Sequence, residues 1–294
     1  MHVFVTGGSG QTGPTVVAEL LAAGHAVTGL ARSDTAAARL KSLGANALRG
    51  SLEDLGSLRG GAEAADGVLH MAFGGDFADP DDLTRRDTAA IEALGQAAAG
   101  KPFVSTSGTL VLPGGRETTE RDDPDAHGIA GFRIPGEQAC LGFGGSVVRL
   151  APTVHGPEDH GFIPMLIATA RKSGVSAYVG DGANRWPAVH RRDAATLFRS
   201  ALEEAPAGSV LHGVAENVPF ESIAETIARR LGVPTASLTP EKAATHFPSP
   251  FMARVFGFDG PVSSTGTRQL LDWAPTRPGL LEDLETGDYF AAAA

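Results

Sequence analysis

The stretch that most constrains the fold is HVFVTGGSGQTGPTVVAELLAAGH, residues 2–25. Its first residues form a short apolar run that reads as a buried strand, and PTVVAELLAAGH (14–25) carries apolar positions at helical spacing. Between the two, Gly7, Gly10 and Gly13 fall in a G-x-x-G-x-x-G pattern. A chain turning from strand to helix over so few residues needs glycine for the tight turn and for packing helix on strand. Glycine also lets the backbone approach a pyrophosphate, while the helix start offers free N–H groups and a favourable dipole. Gly7, Gly10, Gln11, Thr12 and Gly13 are therefore expected to bind a dinucleotide. Pro14 suits the first helical turn and Gly24 the end of the helix.

The alternation continues. AVTGLA (26–31), NALRGS (46–51), GVLHMAF (67–73), PFVSTSG (102–108) and SVVRLAP (146–152) read as strands, with helices expected over 35–44 and 83–100. Strands that are apolar throughout and separated by helices imply an α/β, Rossmann-like, doubly wound parallel sheet covered on both faces. Beyond residue 151 the rhythm changes. Helices are expected over 162–174, 192–205 and 219–232, and SVLHGVA (209–215) reads as a strand returning to the sheet. The expected organisation is a dinucleotide-binding domain of residues 1–150 plus about 189–213, with a small C-terminal substrate lobe of about 151–188 and 214–294. The closing alanines are expected to fray.

Strand two ends at Ala31, followed by Arg32 and Ser33. A carboxylate at that tip would accept from a ribose 2′-OH and select NAD. Arg32 can instead clamp a 2′-phosphate with its planar fork, and Ser33 can donate to it, so NADP is expected. Asp34, just past the tip, keeps NAD open.

The formal net charge of −10 argues against nucleic acid or an anionic membrane as partner, because both need clustered Lys and Arg. A single cysteine, Cys140, leaves no intramolecular disulfide, and no His, Asp or Glu group has metal-ligand spacing, so no metal is expected. No apolar run reaches membrane-spanning length, and the N-terminus lacks a signal-peptide layout, so the expected location is cytoplasmic.

The TGxxGxxG start, the alternating first half, RLAPTVHGP (149–157) and VSSTGTRQLLDWAPTRP (262–278) together resemble the extended short-chain dehydrogenase/reductase superfamily, which includes the sugar-nucleotide epimerases and dehydratases. The resemblance implies that Ser51 and Leu52 form the adenine-contacting turn and that Ala72 and Phe73 lie against the adenosine ribose. It also places Pro152, Thr153 and Val154 at the nicotinamide. In PFVSTSGTL, Ser107 matches the catalytic hydroxyl that bonds the reacting carbonyl, and Ser105 is grouped with the cofactor contacts.

The chain departs from the family in IAGFRIPGEQA (129–139). Aligned through Glu137, Ile129 takes the position of the family's catalytic tyrosine and Arg133 that of its lysine. The chain's two tyrosines, Tyr178 and Tyr289, are remote in sequence. Arg133 can hold the nicotinamide-ribose hydroxyls, but a guanidinium does not exchange its proton near neutral pH. His155, where the family has an aromatic residue, and His160 in the same loop are candidate proton carriers; Asp159 and His127 are further ones. Arg185 and Trp186 are candidates for lining a substrate pocket. The expected activity is an NADP-dependent oxidoreductase acting on a carbonyl or similar polarised double bond of a small molecule, as a monomer or homodimer. An epimerase, dehydratase or isomerase that retains its cofactor, and a non-catalytic NADP-binding sensor, remain alternatives.

Overall fold

The computed structural model describes residues 1–74 and 79–291; of the expected C-terminal tail, everything past Ala291 lies outside them. The strands are β1 (His2–Thr6), β2 (Ala26–Ala31), β3 (Asn46–Arg49), β4 (Gly67–His70), β5 (Phe103–Gly108), β6 (Ser146–Leu150), β7 (Thr153–His155), β8 (Ser176–Val179), β9 (Arg185–His190), β10 (Val210–Gly213), β11 (Glu216–Pro219) and β12 (Thr235–Leu238). The helices of the first half are α1 (Gly13–Ala22), α2 (Asp34–Ser42), α3 (Leu55–Glu63), α4 (Pro80–Ala97) and α5 (Ile134–Gly142). Those of the second are α6 (Phe162–Ser173), α7 (Arg191–Glu204), α8 (Phe220–Leu231), α9 (Pro240–His246), α10 (Pro250–Phe256), α11 (Thr265–Leu271) and α12 (Leu280–Thr286).

Seven strands form one parallel sheet in the order β10-β6-β5-β4-β1-β2-β3. Neighbouring residues on a strand point to opposite faces, so Val3 and Val5 join a core with Val16, Leu20, Leu197 and Phe198, while Phe4 joins Leu58, Ile91 and Leu94 on the other side. The winding reverses between β1 and β4. That switch point opens a crevice at the carboxyl ends of the strands, where doubly wound folds bind their ligands.

Helix α3 was hidden in the sequence by Gly56, Gly60 and Gly61. Gly61 is a packing requirement: a Cβ there would come within 2.4 Å of the Phe4 ring. Asp54 caps the helix by accepting from Ser57 N at 3.2 Å.

The lobe is built from β7, β9 and β11 in one sheet, a parallel pair β8–β12, and helices α6, α8, α9, α10 and α12 around a third core. Trp186, a candidate for lining a pocket, instead fills this core at 1% exposure, edge-on to Phe220 at 5.5 Å, with Nε1 donating to Thr153 Oγ1 at 2.6 Å. Strand β10 then returns to the main sheet beside β6. Among the described residues no helix is long and apolar enough to cross a membrane, and no group of three or more His, Cys, Asp or Glu could hold a metal ion.

Candidate functional site

The glycine loop is folded flat against the end of β4. Gly7 has φ 74°, and a Cβ there would lie 2.6 Å from Ala72 N. A Cβ on Gly13 would lie 2.1 Å from Gly7 O, so α1 can start this close to β1 only with glycine. Gly10 N closes the turn by donating to Gly7 O at 2.9 Å. The cleft above this loop encloses about 400 Å³, and its walls include Gly7, Gly10, Gln11, Thr12 and Gly13 from the loop and Ala72 and Phe73 after β4.

At one end the cleft is lined by Leu30, Arg32, Ser51, Leu52 and Glu53. Arg32 is exposed, and among the described residues its guanidinium has no protein partner. Ser33 does not line the cleft; its hydroxyl accepts from Ala36 N at 3.1 Å and caps α2. Asp34, which kept NAD open, faces Arg49 at 3.3 Å. Arg86, which was not among the expected contacts, is a second cation in the cleft wall. It is paired with Glu53 and, at 3.4 Å, with Asp82, one helical turn back on α4.

Toward the other end, Thr106 of β5 lines the cleft, whereas Ser107 and Thr109 are not in its wall; among the described residues the Oγ atoms of all three are buried without a hydrogen-bond partner. Arg133 reaches the same place from the start of α5. It donates to Thr106 O and lies with its guanidinium carbon 3.6 Å from the centroid of the Phe73 ring. Burial pulls its pKa below the ordinary arginine value, and the carboxylates of Asp87 and Glu137 oppose the shift. Asp87, buried on α4, sits 3.9 Å from Arg133 Nε and 3.3 Å from His70 Nε2. The Nδ1 of His70 is in turn 2.8 Å from Thr6 Oγ1. In the neutral ring Nε2–H donates to the carboxylate and Nδ1 accepts from the threonine. This buried row also explains one glycine of the irregular 129–139 segment, since a Cβ on Gly136 would meet Asp87 Oδ2 at 2.8 Å.

Several expected site residues lie elsewhere. Ser105 is buried within the sheet between His70 and Val147 and does not reach the cleft wall. Pro152 and Val154 do not line the cleft either, although Leu150 does. His155 is 1% exposed, with Nδ1 at 2.8 Å from Asp283 Oδ2 on α12 and its ring edge-on to His190 at 5.4 Å. It ties β7 to α12 within the lobe and does not line the cleft. His160 is exposed in the loop after β7, and His127 is exposed as well. In that same loop Asp159 accepts from Gln11 Nε2 at 2.8 Å, Gly161 N at 2.6 Å and Tyr289 Oη at 2.7 Å. Burial raises the Asp159 pKa, against the hydrogen bonds from Gly161 and Tyr289.

A model of the NAD dependent epimerase/dehydratase family matches residues 3–212. The chain belongs to this family. It is 43% identical to an uncharacterized protein of Schizosaccharomyces pombe over 99% of this chain and 100% of that one. It is 28% identical over 235 residues, 75% of this chain and 70% of that protein, to a 4-hydroxy-2-methyl-3-oxo-4-farnesyl-3,4-dihydroquinoline-1-oxide ketoreductase of Stigmatella aurantiaca. Among solved structures, a dTDP-glucose 4,6-dehydratase from Streptomyces venezuelae with NAD bound superimposes with a TM-score of 0.80 over 99% of this chain and 97% of that one, at 18% identity.

For a member of the NAD dependent epimerase/dehydratase family, the residues present fit a nicotinamide nucleotide. The cradle of Gly7 and Gly13 is one that any Cβ would fill, and among the described residues the Arg32 cation stands free at one end of the cleft and the buried Thr106 hydroxyl unbonded at the other. Neither tyrosine lines this family member's cleft: Tyr178 is on β8 in the lobe, and Tyr289 reaches Asp159 from the C-terminal segment.

Proposed function

We propose that the chain is an NADP-dependent oxidoreductase acting on a carbonyl, or a similarly polarised double bond, of a small molecule, without the family's usual catalytic tyrosine. A bound nicotinamide nucleotide supplies the hydride chemistry. Residues 1–150 and about 189–213 would hold that nucleotide, with the remainder forming the substrate side. Arg32 supports NADP over NAD, because a free planar fork beside Ser51 and Leu52 suits a phosphate and the nearby Asp34 is turned to Arg49.

The observation that carries the reading is the Ser107 hydroxyl near the end of β5, buried and unbonded among the described residues. Leaving such a group unsatisfied costs about 1–3 kcal/mol, which a substrate oxygen accepting from it would restore. Arg133, fixed by the Thr106 carbonyl and the Phe73 ring, would hold sugar hydroxyls. Its guanidinium keeps its proton at physiological pH. With His155 committed to Asp283, the proton would reach Ser107 from water or from the exposed His160.

The test is nicotinamide absorbance during incubation with NADPH or NADH and a panel of ketones and aldehydes. Net oxidation with a preference for NADPH is expected. Conversion of substrate with tightly retained nucleotide and no net absorbance change would instead identify an epimerase or dehydratase.

A further inference from the structure

A second cavity, of about 520 Å³, lies on the lobe side and has a different character from the cofactor cleft. Ile129, the residue at the expected tyrosine position, forms part of its wall. The next residue, Ala130, donates from its backbone to Leu110 O, just past the unbonded hydroxyls of Ser107 and Thr109, so this wall is tied to the end of β5. Opposite stand Val179, Ala244, Ala253 and Phe258, from β8, α9, α10 and the segment after α10.

We infer that this cavity takes the substrate, and that the substrate is a predominantly apolar carbonyl compound carrying at most one anionic group, not a nucleotide sugar. The inference rests on the oxidoreductase reading above and adds the class of molecule on which it acts.

Three features argue for it. Apart from Arg254 the walls carry apolar side chains and glycine, and burying unpaired hydroxyls or a diphosphate against them is strongly unfavourable. Helices α9 and α10 both begin with a proline in the cavity wall, Pro240 and Pro250, which removes an N–H that an anion would use at a helix start. Their caps are also occupied: Thr239 Oγ1 accepts from Lys242 N at 3.5 Å and Ser249 Oγ from Met252 N at 3.1 Å. Finally, among the described residues the cavity has a single charged lining residue, Arg254, which is exposed and has no partner. Arg185 bonds to Asp259, the neighbour of Phe258, through Nε at 3.1 Å and Nη2 at 3.0 Å, and so is already neutralised. One free cation at the rim matches one carboxylate at the end of an apolar body.

The experiment measures binding by calorimetry to the full chain with NADP present. The probes are methyl octyl ketone, the same ketone ending in a carboxylate, and UDP-glucose. Both ketones should bind, and UDP-glucose should neither bind nor compete. Ala244→Trp, which fills the cavity from α9, should weaken both ketones by at least about tenfold, the size of an overpacking penalty, with NADP affinity unchanged as the check on folding. Arg254→Ala, at an exposed position, should weaken only the carboxylated ketone, by about threefold as for a rim ion pair. Tight UDP-glucose binding that displaces the ketones, or ketone binding insensitive to both substitutions, would overturn the inference. Ketones that bind at the cavity without any NADPH oxidation would sink the oxidoreductase reading and leave the cavity assignment standing.

Discussion

The hydroxyl of Tyr289 donates to Asp159 across 2.7 Å and accepts from Gly156 N at 3.2 Å. The same carboxylate accepts from Gln11, so one of the chain's two tyrosines ties the C-terminal segment to the glycine-rich loop through a single half-buried acid. Arg191 completes the tie by donating to Gln11 O. Replacing Tyr289 by Phe leaves an unsatisfied acceptor beside the loop, at a cost of about 1–3 kcal/mol. Tyr289→Phe should therefore lower Tm by several degrees and weaken NADPH binding. Calorimetry and fluorescence titration check the two effects, and an unchanged NADPH affinity would show that the loop is ordered without this tie.

Arg32 faces the cleft without a partner. NADPH should bind more tightly than NADH, and Arg32→Ala should narrow the gap by about 10–100-fold, the equivalent of one or two charge-assisted hydrogen bonds. Equal affinities in the unmodified protein would refute the cofactor preference.

Ser107→Ala removes the unbonded buried hydroxyl, so turnover should fall by at least about tenfold, as when a transition-state donor is lost. Cofactor affinity should stay nearly unchanged. Measured kcat at saturating nucleotide decides whether Ser107 belongs to the mechanism.

His155 at the end of β7 and His160 in the loop that follows should separate cleanly. His155→Phe strands the Asp283 carboxylate and should destabilise the fold, whereas His160→Phe changes an exposed side chain and should leave Tm near its starting value. If His160 carries the proton, its replacement flattens the pH–rate profile; an unaltered profile assigns the proton to water.

Stability should also depend on pH. Burial lowers the pKa of His190, and the neighbouring His155 lowers it further; burial likewise lowers that of His212. The unfolded chain then binds more protons than the native one below about pH 6.5, so stability present at neutral pH is lost as pH falls through that window. Burial lowers the pKa of His246 as well, so three histidines act in this window, while Asp159, with a raised pKa, contributes the opposite slope in the acid range. Tm should fall between about pH 7 and 5. His190→Asn should reduce the slope, because asparagine can still cap α7 where the ring now accepts from Arg192 N.

How much of this was legible in the sequence depends on how far apart the interacting partners lie. AVTGLA became β2 at the expected bounds because four of its six residues are buried and its one polar residue, Thr28, is satisfied by His2 on the neighbouring strand. The glycine loop was legible because its steric demands are local. Helix α3 was not, since the demand that placed Gly61 comes from Phe4 on another strand. His155 looked like a catalytic candidate because its partner Asp283 is 128 residues away. Arg86 left a faint local signal in Asp82, four residues earlier, but its place in the cleft wall depends on how α4 meets the turn after β3.

Strand β10 has a consequence for anyone wishing to exchange substrate preferences between relatives. The sheet's last strand is laid down only after β7, β8 and β9 have been made, and the chain then leaves again for β11. The lobe is thus threaded as two excursions from a shared scaffold. A transplant must be spliced near residues 151, 190 and 214, and it must carry the α12 partner of His155 with it. A single cut at the end of β6 would deliver a new lobe together with a foreign sheet edge.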